Sequence, residues 1–429
     1  MIWLLIAALL LLALAGAPLF GVLLGAAVLG YYTLGIDLQV LHIDIYGVTS
    51  SVVLMALPLF TFAGFLLSES RTADRMLRLS QAALGWMPGG MAFVALMSCA
   101  VFTALTGGSG VTIVALGGLL LPTLLKAGYP ARFNTGLITS SGSLGLLLVP
   151  SIPLLIYGIL VQQLSQQLDM PPVEIIDLYL AGILPALLMI VLLYFYSLWA
   201  TRAHPVPRQR FDWRELRGAL WEARWEIPLP FVVLGGIFSG FLVISEAAAV
   251  TALYVLVAQV FLYREIPLRR LPEIIREAMV MVGGILLILA VALSLSGYLV
   301  FAGVPELLFA FMQEHVSSKL AFLILLNIVL LALGALLDIF AALVIMVPLI
   351  LPVALGYGID PVHLGIIFVA NMQIGYFTPP VGMNLFIASY RFGKPITELY
   401  RATLPFMAVL LIALLLITYV PWLSLVFVR

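Results

Sequence analysis

The sequence predicts an all-α polytopic membrane protein with an inverted internal repeat, two helical hairpins and two broken helices. Three observations carry this. Of the 429 residues, 64% are hydrophobic and only 9% are charged, against roughly 25% charged in a soluble domain. Long apolar stretches fill most of the chain, and its two halves align at a constant offset of 230 residues.

The composition excludes several functions. A soluble fold of this length needs polar surfaces that 20 basic and 20 acidic residues cannot cover. Zero net charge leaves no basic patch, so no nucleic acid is expected as a partner. Cys99 lies in an apolar run and reads as a small buried hydrophobe. His42, His204, His315 and His363 are scattered without metal-ligand spacing, and no metal centre is expected from them. The opening MIWLLIAALLLLALAGAP lacks a basic leading region, and a proline follows its small residues, so it reads as a retained membrane helix.

A span needs about 20 apolar residues. The apolar stretches are 2–34, 46–68, 91–125, 133–162, 178–200, 227–262, 278–301, 320–357, 362–390 and 403–428. Several are too long for one crossing. Breaks at Gly16-Ala17-Pro18, Thr106 to Gly110, Ser239 to Ser245 and Asp338 divide them.

Basic residues give the topology, because cytoplasmic loops retain Lys and Arg. Five clusters hold 18 of the 20: Arg71, Arg75, Arg78; Lys126, Arg132; Arg202, Arg208, Arg210, Arg214, Arg217, Arg224; Arg264, Arg269, Arg270, Arg276; and Arg391, Lys394, Arg401. Only Lys319 and Arg429 stand apart. One threading puts all five on one side, with ten crossings, both termini outside, and hairpins near 91–126 and 319–357 that open to opposite faces. Residues 202–226 and 264–277 then read as amphipathic surface helices. The resulting division is scaffold and arm over 1–90, first hairpin and broken helix over 91–162, scaffold, loops and arm over 163–277, and a connecting helix over 278–318. The second hairpin and broken helix cover 319–390, and a C-terminal arm and helix cover 391–429.

The offset of 230 aligns Pro122 with Pro352, Gly128 with Gly358, Gly145 with Gly375 and Pro150 with Pro380. Each copy holds a hairpin and then an interrupted apolar segment: SSGSLGLLLVPSIP at 140–153 and NMQIGYFTPPVGMN at 371–384. Inverted repeats with broken helices are the architecture of secondary transporters. Proline removes a backbone donor and frees carbonyls of the preceding turn. Such carbonyls cost several kcal/mol each in hydrocarbon unless protein, water or an ion satisfies them. A desolvated sodium ion suits those oxygens.

The first hairpin turns at ALTGGSGVT, residues 104–112, where Thr106, Ser109 and Thr112 supply small oxygens. The glycine cluster lacks the Gly-Lys-Ser/Thr ending of a phosphate loop, so no ATP is expected. The second turns at GALLDIF, where Asp338 aligns with Gly108. An acid in so apolar a run is expensive, from about 2.5 kcal/mol upward, and marks a coordination or protonation site. Asn327, Asn371, Gln373 and Asn384 are polar at apparent depth, as interhelical glue or ligands, and Thr378 precedes the Pro379-Pro380 break. Glu246 opens a helix for which Ser245 is the expected N-cap. Helices leaving each tip and break direct partial positive charge at one midplane region, a site for an anionic substrate such as a carboxylate. Thr106, Gly108, Ser109, Gly110, Ser143 and Asn384 are the candidate substrate contacts.

At these motifs the chain resembles the large membrane subunit of tripartite ATP-independent periplasmic (TRAP) transporters. The likeness runs through LPLFTFAGFLL at 57–67, ALTGGSGVT, GSLGLLLVPSIPLLIYG at 142–158, SEAAAV at 245–250, Asp338, and IGYFTPPVGMNLF at 374–386. It implies an elevator-type fold of the ion-transporter superfamily in the bacterial inner membrane, and not an enzyme. It further implies sodium as the coupling ion at two sites, one at Ser109 with backbone around Gly142, Gly145, Leu148 and Pro150, the other at Asp338 with Gly375 and Thr378. Gly108 stands where a serine is common, and Val149 replaces the first proline of the usual pair. Both departures weaken side-chain ligation at the first site. The resemblance implies two protein partners, a small four-helix membrane subunit and a periplasmic substrate-binding protein. Its substrates are mostly organic acids, including dicarboxylates and sialic acids. The alternatives are a stand-alone sodium/dicarboxylate symporter and a passive assembly scaffold. An intramembrane hydrolase lacks its Ser-His pair or paired aspartates.

Overall fold

Glycine and proline punctuation sets where the helices start and stop. A computed structural model describes residues 9, 11–12, 15–49, 52–168, 170–202, 210–316 and 318–428. Part of the 2–34 stretch, with His204, Arg208 and Arg429, lies outside them. Four helices, α1 (Leu19–Leu34), α2 (Gln39–Thr49), α3 (Ala56–Glu69) and α4 (Thr72–Leu84), lead to a hairpin of α5 (Gly90–Thr106) and α6 (Ser109–Lys126). A broken helix follows as α7 (Ala131–Ser141) and α8 (Ile152–Gln167), with a 3-10 turn at Leu144–Leu147 in the gap. The middle of the chain forms α9 (Ile175–Thr201), α10 (Trp213–Glu222), α11 (Pro228–Phe238), α12 (Ile244–Leu256), α13 (Leu271–Phe301) and α14 (Val304–His315). The second hairpin is α15 (Lys319–Leu336) and α16 (Ile339–Gly356), and the second broken helix is α17 (Pro361–Gly375) and α18 (Met383–Phe392). Then come α19 (Ile396–Tyr419) and α20 (Trp422–Leu425). The described residues contain no strand.

The offset of 230 holds in three dimensions. Helices α6 and α16 start and end at equivalent positions, and Gly128 and Gly358, just beyond them, take φ of 90° and 66°. Each outgoing hairpin arm packs on the second half of the other copy's broken helix, α6 on α18 and α16 on α8. Each incoming arm packs on its own copy's broken segment, α5 on the 144–147 turn and α15 on α17. Missing side chains make this possible. A Cβ on Gly145 would lie 2.2 Å from the Ala100 oxygen, and one on Gly375 would lie 2.5 Å from the Cα of Gly334. At the centre Ser143 Oγ donates to the carbonyl of Gln373, its own equivalent, at 2.9 Å.

A second layer covers this pair of repeats. Helices α1, α2 and α3 pack on α13, and α3 also packs on α12. Tyr31 meets Tyr298 and Phe301 edge-on, with centroids 6.0 and 6.3 Å apart. At 1.5 Å per residue the 31 residues of α13 extend over roughly 47 Å, beyond a hydrocarbon core of about 30 Å. Its polar first turns, with Glu273, Arg276 and Glu277, reach past that core. The expected surface helix over 264–277 is therefore corrected: a short turn at Leu268–Arg270 feeds directly into α13. In the 202–226 segment the described helix is α10, and it does lie at the surface.

Among the described residues seven helices are long and apolar enough to span a membrane, or nine if each of two bent pairs is one span. The ten crossings of the charge ledger exceed this, because α1, α5, α11 and α17 are apolar but short. One bent pair is α3 with α4, which turn by 75°. That corner holds a second correction. Arg75 was expected in a loop, yet it sits on α4 at 6% exposure, paired with Glu226 and Glu265. Thr72, Gln259 and Tyr263 complete the network: Tyr263 OH donates to Glu226 at 2.7 Å and its ring lies under the Arg75 guanidinium at 3.9 Å. A π-helical turn, Val257–Leu262, presents Gln259 to it.

At the start of α12 the N-cap is Val243, two residues before the expected Ser245. Glu246 accepts the Val243 N–H at 3.1 Å. Valine offers no acceptor of its own, so the carboxylate is the whole cap.

Outside the membrane-spanning segments, Arg78 on α4 holds Glu215 and Glu222 of α10 at 2.7 and 2.8 Å. The hydrogen bond from Arg78 lowers the Glu215 carboxyl below the ordinary glutamate value. A depressed carboxyl stabilises above its unfolded value and loses that contribution as pH falls through the folded one. Protease cleavage within α10 should therefore accelerate below the ordinary glutamate range and stay constant near neutrality. A rate that does not change with acidification would contradict the clasp.

Candidate ion and substrate site

Both hairpins turn through two residues. In the first, Gly107 ends α5 with φ 72° and Gly108 precedes α6 in extended conformation. Thr103 Oγ1 donates to the Gly142 carbonyl at 2.8 Å and lies 2.6 Å from Thr112 Oγ1, which ties both arms to the first break. That break runs from Gly142 to Ser151, with Gly142, Gly145 and Pro150 buried and Leu148 half-buried. Ser151 caps α8, accepting Leu154 N–H at 3.2 Å and donating to the Leu146 carbonyl.

Ser109 faces elsewhere. The residue is 3% exposed, and its hydroxyl donates to Asn384 Oδ1, at 2.9 Å, in the second broken helix. A Cβ on Gly110 would lie 2.6 Å from Ile387 Cδ1, so the first tip meets α18 on this side too. The fold thus brings together Ser109, Gly110 and Asn384 of the six substrate candidates. Thr106 spends its hydroxyl on Phe102 of its own helix at 2.8 Å. Ser143 spends its hydroxyl on the Gln373 carbonyl, and Gly108 is half-buried in the tip. Asn384 is fully buried, and its Nδ2 has no hydrogen-bond partner.

The second tip closes on its own break. Ile339 N–H donates to Tyr376 OH at 2.9 Å, and Gly382 N–H donates to the Ala335 carbonyl at 2.9 Å. Within the break, Thr378 N–H donates to Gly375 at 2.9 Å and its hydroxyl donates to Ile374 at 2.8 Å. Gly375, Thr378 and the second tip therefore adjoin. The bonds before Pro150 and Pro380 are both cis.

Asp338 requires a correction. A desolvated, lone acid was expected, but the residue is exposed at the tip. Its Oδ1 accepts Phe340 and Ala341 N–H at 2.9 and 3.1 Å, capping α16. Hydropathy placed it inside an apolar run, whereas the two-residue turn brings it to the surface of the chain. Only Oδ1 is engaged in this cap.

The other polar residues divide. Asn371 Nδ2 donates to Asn327 Oδ1 at 2.8 Å, and Asn327 Nδ2 donates to Thr418 at 3.2 Å, so these amides join α15, α17 and α19. Gln373 contributes its carbonyl to Ser143. Sequence reasoning missed Thr103, Ser151 and Tyr376. Ser151 directly follows the proline of the first break and Thr103 stands one helical turn before the tip glycine Gly107, whereas Tyr376 carries no such signal, since its partner lies 37 residues away. The donor set is hydroxyl and carbonyl oxygen plus one carboxylate, which suits a hard monovalent cation. Among the described residues no group of three or more His, Cys, Asp or Glu is placed to hold a metal.

Comparison with known proteins agrees with this architecture. Residues 4–423 match the family described as tripartite ATP-independent periplasmic transporter, DctM component. The chain is 37% identical over 377 residues to the C4-dicarboxylate TRAP transporter large permease protein DctM of Rhodobacter capsulatus, covering 87% of this chain and 86% of that one. It is 29% identical over 402 residues to the ectoine/5-hydroxyectoine large permease UehC of Ruegeria pomeroyi, covering 93% and 92%. A third relative is the isethionate permease DctMQ of Oleidesulfovibrio alaskensis, 34% identical over 86% of this chain and 57% of that one. The solved YdaH transporter of Alcanivorax borkumensis shares the fold, with TM-score 0.63 and 17% identity over 89% of this chain and 86% of that one. The chain belongs to the DctM family, the large permease component of TRAP transporters.

Proposed function

We propose that this permease carries out sodium-coupled uptake of an organic-acid anion that a periplasmic binding protein delivers. The observation that carries the reading is that both hairpin tips close on the second broken helix, Ser109 on Asn384 and Ile339 on Tyr376. Oxygens of interrupted backbone beside hydroxyls suit a sodium ion, with Gly142, Gly145, Leu148 and Pro150 at the first break and Asp338, Gly375 and Thr378 at the second. The unpartnered Asn384 amide and the N-termini of α6 and α18 suit a substrate carboxylate or sulfonate. The unit of α5–α8 with α15–α18 moves as an elevator against α1–α3 and α11–α13. Relatives named for a C4-dicarboxylate, isethionate and ectoine leave the anion itself to experiment. The longer DctMQ relative supports a small membrane subunit as companion. Membership of the family supports a bacterial inner-membrane location, and the distribution of basic residues favours both termini on the periplasmic side.

The test is uptake in proteoliposomes holding both membrane subunits, with candidate binding proteins and imposed ion gradients. Uptake should require the binding protein and an inward sodium gradient; uptake without the binding protein would favour a stand-alone symporter. Ser109→Ala should lower unfolding stability by about 1–3 kcal/mol, because Asn384 loses its buried donor, and should lower uptake further than that. Full uptake in Ser109→Ala would remove the Ser109–Asn384 contact from the site.

A further inference from the structure

Helix α10 carries chemistry that transport does not use. Arg214, Arg217 and Arg224 lie in or just beyond it, and among the described residues no carboxylate is within ion-pair distance of them. Beside them, Trp213 and Trp221 are 71% and 70% exposed. Arg224 stacks over the Trp221 ring at 4.7 Å and donates to its carbonyl at 2.9 Å, which leaves most of its guanidinium donors open.

This end of α10 rims a cavity of about 410 Å³ against α4 and Tyr263. Its charges are unevenly spent. Glu222 is held by Arg78 and Glu265 by Arg75, while Arg71 is 77% exposed and lies 4.0 Å from Asp74. Two guanidiniums, Arg71 and Arg224, therefore face the cavity with donor capacity to spare.

We infer that this cavity binds the phosphate of an anionic phospholipid headgroup between Arg71 and Arg224, with Trp213 and Trp221 seated at the acyl boundary. Planar guanidinium forks suit phosphate oxygens. Large exposed aromatics beside arginine belong at the headgroup level of a membrane rather than in water. A soluble phosphate would use the arginines and leave both tryptophans uncovered, so the lipid is the occupant. The side is the one that holds the basic clusters, and the inference needs only that the chain spans a membrane. Because Arg78 joins α10 to α4 and α4 leads into the first hairpin, headgroup binding braces the corner from which that hairpin starts.

The test uses the full chain in nanodiscs of phosphatidylcholine with or without phosphatidylglycerol, reading lipid retention by native mass spectrometry and the thermal midpoint. Phosphatidylglycerol should be retained preferentially and raise the midpoint. The R71Q/R224Q variant should bind it about thirtyfold more weakly, at ~1 kcal/mol per arginine near the surface. Inorganic phosphate should not reproduce the stabilisation. Equal retention of both lipids, unchanged retention in the double variant, or the same midpoint rise with inorganic phosphate would each overturn the inference. Should the variant fail to fold, retention by the unmutated chain must fall with added salt, and salt-independent retention would overturn it.

Discussion

Gly145→Val yields a permease that inserts into the membrane but does not assemble its first hairpin on its first break. The added Cβ alone would lie 2.2 Å from the Ala100 oxygen and 2.5 Å from the Ala104 nitrogen. These are backbone atoms of α5 and cannot swing aside as a side chain does. Overpacking costs about 1–3 kcal/mol where side chains relax, and here the cost lies above that range. Gly375→Val is equivalent, against Gly334. Size-exclusion profiles in detergent should show loss of the monodisperse peak for both. Gly283→Ala, on α13 with nothing within 4 Å, should be neutral or gain up to ~1 kcal/mol. A folded, active Gly145→Val would mean that hairpin and break do not close.

Arg75→Ala is the second large effect. Glu226 is 1% and Glu265 17% exposed on their side chains, and the arginine is their partner. Breaking a buried pair by removing one member costs about 3–5 kcal/mol, since the remaining charge stays desolvated. The α3–α4 corner, the segment before α11 and the end of α12 should loosen together, seen as faster amide exchange in all three. Adding Glu226→Gln should recover part of the loss. A cost below ~1 kcal/mol would reduce the network to a surface pair.

Much of this fold is legible in the sequence because membranes punish irregular backbone. Turns must be announced by Gly, Pro or a lone polar residue, and Gly107, Gly240 and the Pro150 and Pro380 breaks are such announcements. The repeat is legible for the same reason. What stayed hidden depends on pairings distant along the chain. Arg75 resembles its loop neighbours until Glu226 and Glu265, 151 and 190 residues away, enclose it. Asp338 reads as buried because hydropathy averages over a window, and a two-residue turn escapes the average. Ser109 was placed beside the first break, but its hydroxyl crosses to Asn384 of the other copy, a contact that no local pattern encodes.

The claim on which the rest depends is that hairpin tips and interrupted backbone together hold the coupling cation. The direct measurement is the sodium concentration for half-maximal uptake in proteoliposomes, compared among the unmodified permease, Asp338→Asn and Thr378→Val. Both variants should raise it at least about tenfold, the equivalent of the ~1.5 kcal/mol that one contact to a charge contributes, with uptake recovering at high sodium. An unchanged sodium dependence in both variants, or equal uptake under a potassium gradient, would contradict the account.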